Sequence, residues 1–335
     1  MKINNGPMAM PWGRYYMGRM AHITIKLAAA FLCGIVAAPT AFAQDEASRP
    51  YPANNPSDAA SPPQQARPAG PPPGVADSIF AGDWVTIGIG GGVRPSYDGS
   101  DNYNFGPAPL IQGSIDGFDF GARGPGLFVD IIRDGARDAR GQQKKVQFVF
   151  GPQVQLRFDR TGRIGDDVVA LLGERETAVE LGFTSGVVIK ELANPVDSLS
   201  FTLDAGWDVA GAHNGRVLRG SIGYATPLSR AAFANLSLSA THVDDNYADS
   251  YYSIDAAGSA ASGLSVFDAD SGFSSAGAFL VLGYDLSGNA LDGGFSLFGL
   301  SSYSRQLGDA KRTPITSVRG DANQWFVGGG VAYSF

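Results

Sequence analysis

The stretch "KVQFVFGPQVQLRFD" (145–159) places Val146, Phe148, Phe150, Val154, Leu156 and Phe158 on one face and Gln147, Gln153, Gln155 and Arg157 on the other. Period-two alternation is the mark of a β-strand with one apolar side. "TAVELGFTSGVVIK" (177–190) repeats it with Val179, Leu181, Phe183, Val187 and Ile189, and "LSFTLDAGWDVAG" (199–211) with Leu199, Phe201, Leu203, Trp207 and Val209. Further segments lie near 82–96, 103–115, 117–132, 215–229, 231–243, 273–286, 291–306 and 323–335, with a shorter one at 250–255. Many exceed the usual five or six residues of globular strands, and a membrane-crossing strand needs about 9–11. The one amphipathic helix candidate, "DDVVALLGERE" (166–176), is too small to cover so much sheet, whereas lipid can cover it. The pattern predicts an all-β fold, a transmembrane antiparallel up-and-down barrel of about 12 strands, with 10 as the alternative.

The end of the chain fits this reading. In "GGGVAYSF" (328–335), Val331, Tyr333 and Phe335 alternate up to the last residue. Barrel closure would pair that strand with the first and leave no open edge. An alternating strand with a final Phe also looks like the signal that the barrel-assembly machinery of bacterial outer membranes reads. Asp116-Gly117 and Asn214-Gly215 are hairpin signals, expected as periplasmic turns. The polar run 133–145 is expected as an external loop. On that count 160–176 falls on the periplasmic side, as a small helix or as the sign of one miscounted hairpin.

Upstream, residues 1–43 read as a secretory signal peptide: a basic lead with Lys2, Arg14, Arg19 and Lys26, the apolar run "LAAAFLCGIVAA" (27–38), and the small-residue site Ala41-x-Ala43. Met17 and Met20 are alternative starts, and Phe31-Leu32 before Cys33 argue against a lipid anchor. Residues 44–79 form a Pro-rich tether, either a spacer or a periplasmic docking segment, and its composition cannot build a core. The barrel takes residues 80–335. The chain carries 25 Lys and Arg against 32 Asp and Glu, and the four lead charges are all basic. That acidic balance argues against a nucleic-acid partner.

Chemistry-bearing residues are sparse, and no catalytic, cofactor or metal residue is assigned. "GIGGGV" (88–93) lacks the sixth-position glycine and following helix of a dinucleotide loop; its glycines suit a crowded or tightly curved strand. His213 and His242 are weighed as parts of a lipid hydrolase, but no nucleophile stands at a fixed spacing from either. The acid groups Asp98/Asp101, Asp244/Asp245/Asp249 and Asp268/Asp270 lack the order of a calcium loop and read as solvated. Strand parity assigns to the lumen Arg94, Arg123, Arg157, Lys190 and Arg219 against Asp119, Asp159, Glu180, Asp204 and Asp208, a cross-linked interior rather than a strongly ion-selective pore.

Three blocks resemble the MipA/OmpV family of outer-membrane proteins. The first, "GIGGGVRPSYDGSDNYNFGPAPLI" (88–111), matches at Pro95, Tyr97, Gly99, Ser100, Asp101, Pro107 and Pro109. The second is 244–272. The third, 305–335, includes Gly308, Asp309 and Pro314, with Lys311-Arg312-Thr313 where the family has a small and an acidic residue before Ser-Pro. The resemblance implies a non-enzymatic barrel in the outer-membrane lipid of a Gram-negative bacterium, acting as a scaffold between a murein synthase and a murein hydrolase. A small-solute channel is the alternative, and a lipid hydrolase a more distant one. The family supplies no agreed catalytic residues to carry over.

Overall fold

The computed structural model describes residues 78–133, 144–162 and 164–335, so the leader and nearly all of the Pro-rich stretch lie outside the described residues. The alternating segments form one antiparallel sheet that closes on itself. We number its strands β1 (Trp84–Pro95), β2 (Tyr103–Pro107 continuing as Leu110–Ile115), β3 (Phe118–Ala122), β4 (Gly126–Val129), β5 (Val146–Arg157) and β6 (Ala178–Lys190). The circuit continues through β7 (Ser198–Asp208), β8 (Arg216–Pro227), β9 (Ala232–Val243), β10 (Gly272–Asp285), β11 (Gly294–Gln306) and β12 (Asn323–Ser334). Both halves of β2 pair with β1, so it is one strand interrupted at Ala108. Pro107 and Pro109 flank that break because neither has an N–H to give the ladder.

Twelve strands is the expected number, but its composition differs in two places. Residues 117–132 turn back at 123–125 and make two strands, β3 and β4. The 250–255 segment is instead the end of a helix, with Ile254 making an isolated bridge to Phe267. The two differences cancel in the count but not in the sidedness. The extra hairpin moves 160–176 and Asn214-Gly215 to the end of the barrel opposite Asp116-Gly117, and β4 ends and β5 begins at the end that holds Asp116-Gly117. Most of the expected 133–145 external loop lies outside the described residues, and the periplasmic placement of 160–176 and Asn214 is corrected. Asp116 and Gly117, with φ of 52° and 77°, make the two-residue turn that left-handed backbone requires.

The ring closes between β12 and β1, from Thr86 opposite Ser334 to Val93 opposite Val327. The Phe335 N–H donates to the Val85 carbonyl at 3.0 Å, and the Val85 N–H to the Phe335 carbonyl at 2.9 Å. Glycines make this seam possible: a Cβ on Gly330 would lie 2.1 Å from the Ile89 carbonyl oxygen, and one on Gly90 2.4 Å from that of Gly329.

Apolar side chains cover the outside. Ile89 is 72% exposed, Phe105 78% and Phe148 59%, with Leu203, Leu238 and Val331 in the same outward register. Such a belt is stable only against hydrocarbon. No helix among the described residues is long and apolar enough to cross a membrane; the strands cross it. The two ends are unlike. One carries mostly short turns together with Phe335, and the other carries the long connections 158–177, 244–271 and 307–322. Long connections are the external ones in this architecture.

Candidate functional site: a capped lumen

At the long-loop end the connections fold together into a cap with apolar cores of its own. The 244–271 connection supplies α2 (Asp245–Tyr252) and α3 (Ala256–Ser262), after α1 (Asp167–Ala170) and before α4 (Gly308–Arg312) and α5 (Pro314–Ser317). The expected helix over 166–176 shrinks to the four residues of α1, capped by Asp166, whose carboxylate accepts from the Val168 and Val169 N–H groups at 2.9 Å. Asp244 caps α2 by accepting from the Tyr247 N–H, and Asp255 caps α3 through Gly258. These acids therefore work as helix caps.

One cluster packs Tyr247, Ala248, Tyr251 and Tyr252 of α2 against Val217 and Val243 at the inner tops of β8 and β9, with Ala269 and Ala310. A second joins Tyr97, Val169, Ile254, Leu264 and Ile315, one residue or more from each of four connections. Tyr247 and Tyr251 are each 2% exposed. The helix thus sits in the mouth of the barrel, and the tyrosines are its stopper.

Several of the residues resembling the family motif hold this cap together. Gly99 has φ of 90°, and a Cβ there would fall 2.2 Å from the Thr316 Oγ1 of α5. Ser100 is fully buried and bridges to Gly320. Tyr97 lies in the second cluster, where burial raises its phenol to about 12. Asp309 accepts from the Asp270 N–H at 2.9 Å and pairs with Arg312, while Pro314 is buried at the start of α5. Gly308 takes a left-handed φ of 51° at the turn into α4. Among the described residues Asp101 bonds to its neighbour Asn102, and Pro95, Pro107 and Pro109 belong to the first hairpin.

Beneath the stopper lies a belt of charge. The Arg157 Nε donates to Glu180 Oε1 at 2.9 Å, and its guanidinium carbon lies 4.9 Å from the centre of the Tyr247 ring. His213 reaches the same Glu180 oxygen through Nε2 at 3.3 Å, while its Nδ1 accepts the Gly215 N–H at 3.0 Å. That second bond puts the ring proton on Nε2, aimed at Glu180. The His213 side chain is wholly buried against Tyr247 and Tyr251, not interfacial. His242 instead stacks edge-on against Phe273 at the top of the wall. Lower down, Arg123 Nη1 donates to both Asp204 oxygens at 3.0 and 3.2 Å, and the Thr184 hydroxyl donates to Asp204 at 2.7 Å. A cavity of about 20 Å³ lined by Arg123, Glu180, Asp204 and Arg219 has room for a water.

The other parity-assigned charges do different work. Asp208 accepts N–H bonds from Ala210, His213 and Asn214 and so organises the 209–215 turn. Asp159 lies in the cap, accepting from the Asp98 N–H at 2.9 Å. Burial first, and the Asp98 charge second, push its carboxyl up to about 6. Arg94 and Asp119 are exposed, and Lys190 is half-buried at the end of β6. Sequence reasoning missed Arg160, whose Nη2 donates to the Ser250 and Tyr251 carbonyls at 3.3 and 2.8 Å, and Arg319, which holds Asp166 at 2.6 Å. Burial raises the Asp166 carboxyl, but Arg319 and the two α1 N–H groups outweigh it and hold it below the usual range. Neither arginine falls on a strand, so no parity rule pointed to them.

A closed barrel with a lipid-facing belt, a folded cap and an ion-paired lumen defines a β-barrel of the outer-membrane class. The family described as MltA-interacting protein MipA matches residues 87–335, and the chain belongs to it. No curated protein matches the chain. Among solved structures, an outer membrane channel from Pseudomonas putida F1 aligns at 15% identity over 80% of this chain and 100% of that one, with a TM-score of 0.39. An anion-selective porin from Comamonas acidovorans aligns at 11% over 78% and 66%, with a TM-score of 0.28. The outer membrane channel DcaP of Acinetobacter baumannii aligns at 9% over 77% and 99%, with a TM-score of 0.27.

Proposed function

We propose that this protein is a non-enzymatic outer-membrane anchor that positions murein-cutting and murein-building enzymes at the inner surface of the outer membrane. The observation that carries the reading is the stopper: Tyr247, Tyr251 and Tyr252 fill the external mouth above the Arg157–Glu180–His213 cluster. A diffusion pore needs an aqueous path through both ends, and buried rings over an ion-paired belt work against one. The family's description, an MltA-interacting protein, supports a murein enzyme as the partner. The export signal over 1–43 belongs to the same reading. Crosslinking of intact envelopes followed by recovery of the barrel tests it: a murein hydrolase or synthase is expected in the recovered material, and its absence refutes the anchor. The competing small-solute channel rests on the exposed, inward-facing Asn235 near the opposite end, which leaves the lower lumen open to water. Defined single-channel current steps from refolded barrel in a planar bilayer would favour the channel instead.

A further inference from the structure

Near its capped end the wall of the barrel has a gap. The β3–β4 hairpin turns back at Arg123-Gly124-Pro125, and its uppermost pairing with β5 sets Gly126 opposite Gln155. β2 climbs further, its Tyr103–Pro107 segment pairing with β1 from Pro107 opposite Gly91 to Tyr103 opposite Pro95. No strand among the described residues pairs with the other edge of that segment. The bonded pairs on either side, Ser96 with Asn102 and Ala108 with Gly90, set a register that turns the Phe105 N–H and carbonyl away from β1, toward the gap. Above the hairpin tip the connections join again. The Asp98 N–H donates to Asp159 at 2.9 Å, and the Gly165 N–H to the Ser96 hydroxyl at 3.3 Å. The result is a lateral window, with the cap above, the hairpin tip below, β2 on one side and the top of β5 on the other.

Its level is set by aromatic residues. The Trp325 backbone N–H donates to the Tyr103 hydroxyl at 3.3 Å, and the Tyr303 and Trp325 rings lie 4.7 Å apart. Such a girdle marks the membrane interface, so Phe105, two residues further down, opens on the external leaflet. Hydrocarbon cannot satisfy an open sheet edge, and this one therefore calls for a polar occupant. The sign of that occupant follows from Arg94, the one charged side chain on β1, β2 and β12 together. Arg94 is exposed although it faces inward, with Asn104 opposite it on β2. It reaches across β2 toward the window, its Nε 3.8 Å from where a Cβ on Gly106 would stand. It has no hydrogen bond or ion pair among the described residues, and Asp101 on the connection above bonds to Asn102 instead.

We propose that this window docks a phosphate-bearing lipid of the external leaflet, with the phosphate at Arg94 and the open edge of β2. The guanidinium fork and the Phe105 N–H are donors of the kind that phosphate oxygens accept. Charge complementarity selects an anion, and the sideways opening selects one that belongs to the bilayer. The outward face of the hairpin below the window suits the acyl chains: Phe120, Ala122 and Leu127 lie on it, opposite in parity to the inward Arg123 and Phe128. The inference is independent of the anchoring role.

The test is native mass spectrometry of the full barrel, released from a neutral detergent and titrated with dioctanoyl phosphatidate. Dioctanoylglycerol, which has the same chains without the phosphate, and inorganic phosphate serve as comparators. One saturable phosphatidate per barrel is expected, bound at least tenfold tighter than the diacylglycerol and not displaced by excess inorganic phosphate. Arg94→Gln should weaken it at least tenfold, whereas Lys190→Gln, at the opposite end of the barrel, should leave it unchanged. Heat-modifiable gel mobility shows that each variant has formed its barrel. Equal losses in the two variants, or none in Arg94→Gln, would overturn the assignment of Arg94. Displacement by inorganic phosphate would make the ligand a free anion and overturn the lipid. A disulfide-linked dimer of Phe105→Cys barrels in native membranes would put a second copy at the edge and likewise overturn it.

Discussion

Glu180→Ala should cost this barrel far more than one carboxylate's worth of surface charge. The Glu180 side chain is 4% exposed, and one of its oxygens serves both Arg157 at 2.9 Å and His213 at 3.3 Å. Removing it leaves a guanidinium that is itself only 16% exposed with no carboxylate, and an imidazole N–H with no acceptor. Stripping one partner from a buried ion pair typically costs about 3–5 kcal/mol, most of it the penalty of the charge left behind. With a urea slope of about 2 kcal/mol per molar, the unfolding midpoint should fall by about 2 M. Unfolding in thin lipid vesicles, followed by tryptophan fluorescence, reads this directly. The diagnostic partner is the double variant Arg157→Met/Glu180→Leu. Because it removes both charges and keeps the volume, it should return to within about 1–2 kcal/mol of the parent. A single variant that loses less than about 1 kcal/mol, or a double variant as unstable as the single, refutes the view that desolvated charge governs this belt.

Three further outcomes follow from other parts of the molecule. Gly330→Val should abolish the heat-modifiable barrel on gels, since its Cβ must enter the space of the Ile89 carbonyl 2.1 Å away; Gly299→Val, with nothing within 4 Å, should leave the barrel intact. Gly99→Ala should loosen the cap without opening the seam, because φ of 90° disfavours any side chain and Thr316 stands 2.2 Å from the new carbon; limited proteolysis should then cut within 307–322 while the strands stay protected. Asp159, raised by burial to about 6, binds its proton more tightly in the folded cap than in the unfolded chain, where it titrates near 4. Its contribution to cap stability is full below pH ~4 and is lost as pH rises through about 6, a swing of about 2–3 kcal/mol. Cap protection measured by hydrogen exchange should therefore fall across that window, and Asp159→Asn should remove the fall.

The barrel was legible because its signal is repeated. In β5, Val146, Phe148 and Phe150 alternate with Gln147 and Val149 in the register that pairing to β6 confirms, and each strand restates the same physics. The ion pairs Arg157–Glu180 and Arg123–Asp204 were legible as inward parity but not as partners, because pairing depends on the stagger between strands. The miscounted hairpin has a local cause. Residues 117–132 carry apolar residues on either side of Arg123-Gly124-Pro125, and the turn depends on Gly124 adopting φ of 57°. The cap was illegible for a different reason. "DNYADSYY" (245–252) has tyrosines at spacings of four and one, so Tyr247, Tyr251 and Tyr252 line a helix face that has meaning only once β8 and β9 supply Val217 and Val243. Some inward apolar residues were hidden likewise: Phe279, Leu300 and Phe326 face the lumen because their strand registers make them so.

The corrected hairpin also decides where a partner must bind. With 160–176 and 209–215 moved to the cap end, the opposite end carries Asp116-Gly117 and the connections 191–197, 228–231 and 286–293. Asp197 rigidifies one of these by accepting from the Leu192 and Ala193 N–H groups and the Tyr224 hydroxyl, and Ser287 ties another through Asp285 and Asp292. Residue 78 departs at this same end, where the Ile79 N–H is held by the Leu291 carbonyl at 3.1 Å. An anchoring role therefore confines the murein enzyme to this rim and to the chain that precedes it. A photocrosslinking residue placed at Asp116, Ser229 or Asn289 should capture the enzyme in living cells, and one at Asn246 or Ala261 of the cap should not. Shortening the chain between residues 44 and 76 should weaken capture at the rim if that stretch docks, and leave it unchanged if it only spaces. Capture from the cap positions alone would place the partner outside the cell and end the anchoring argument.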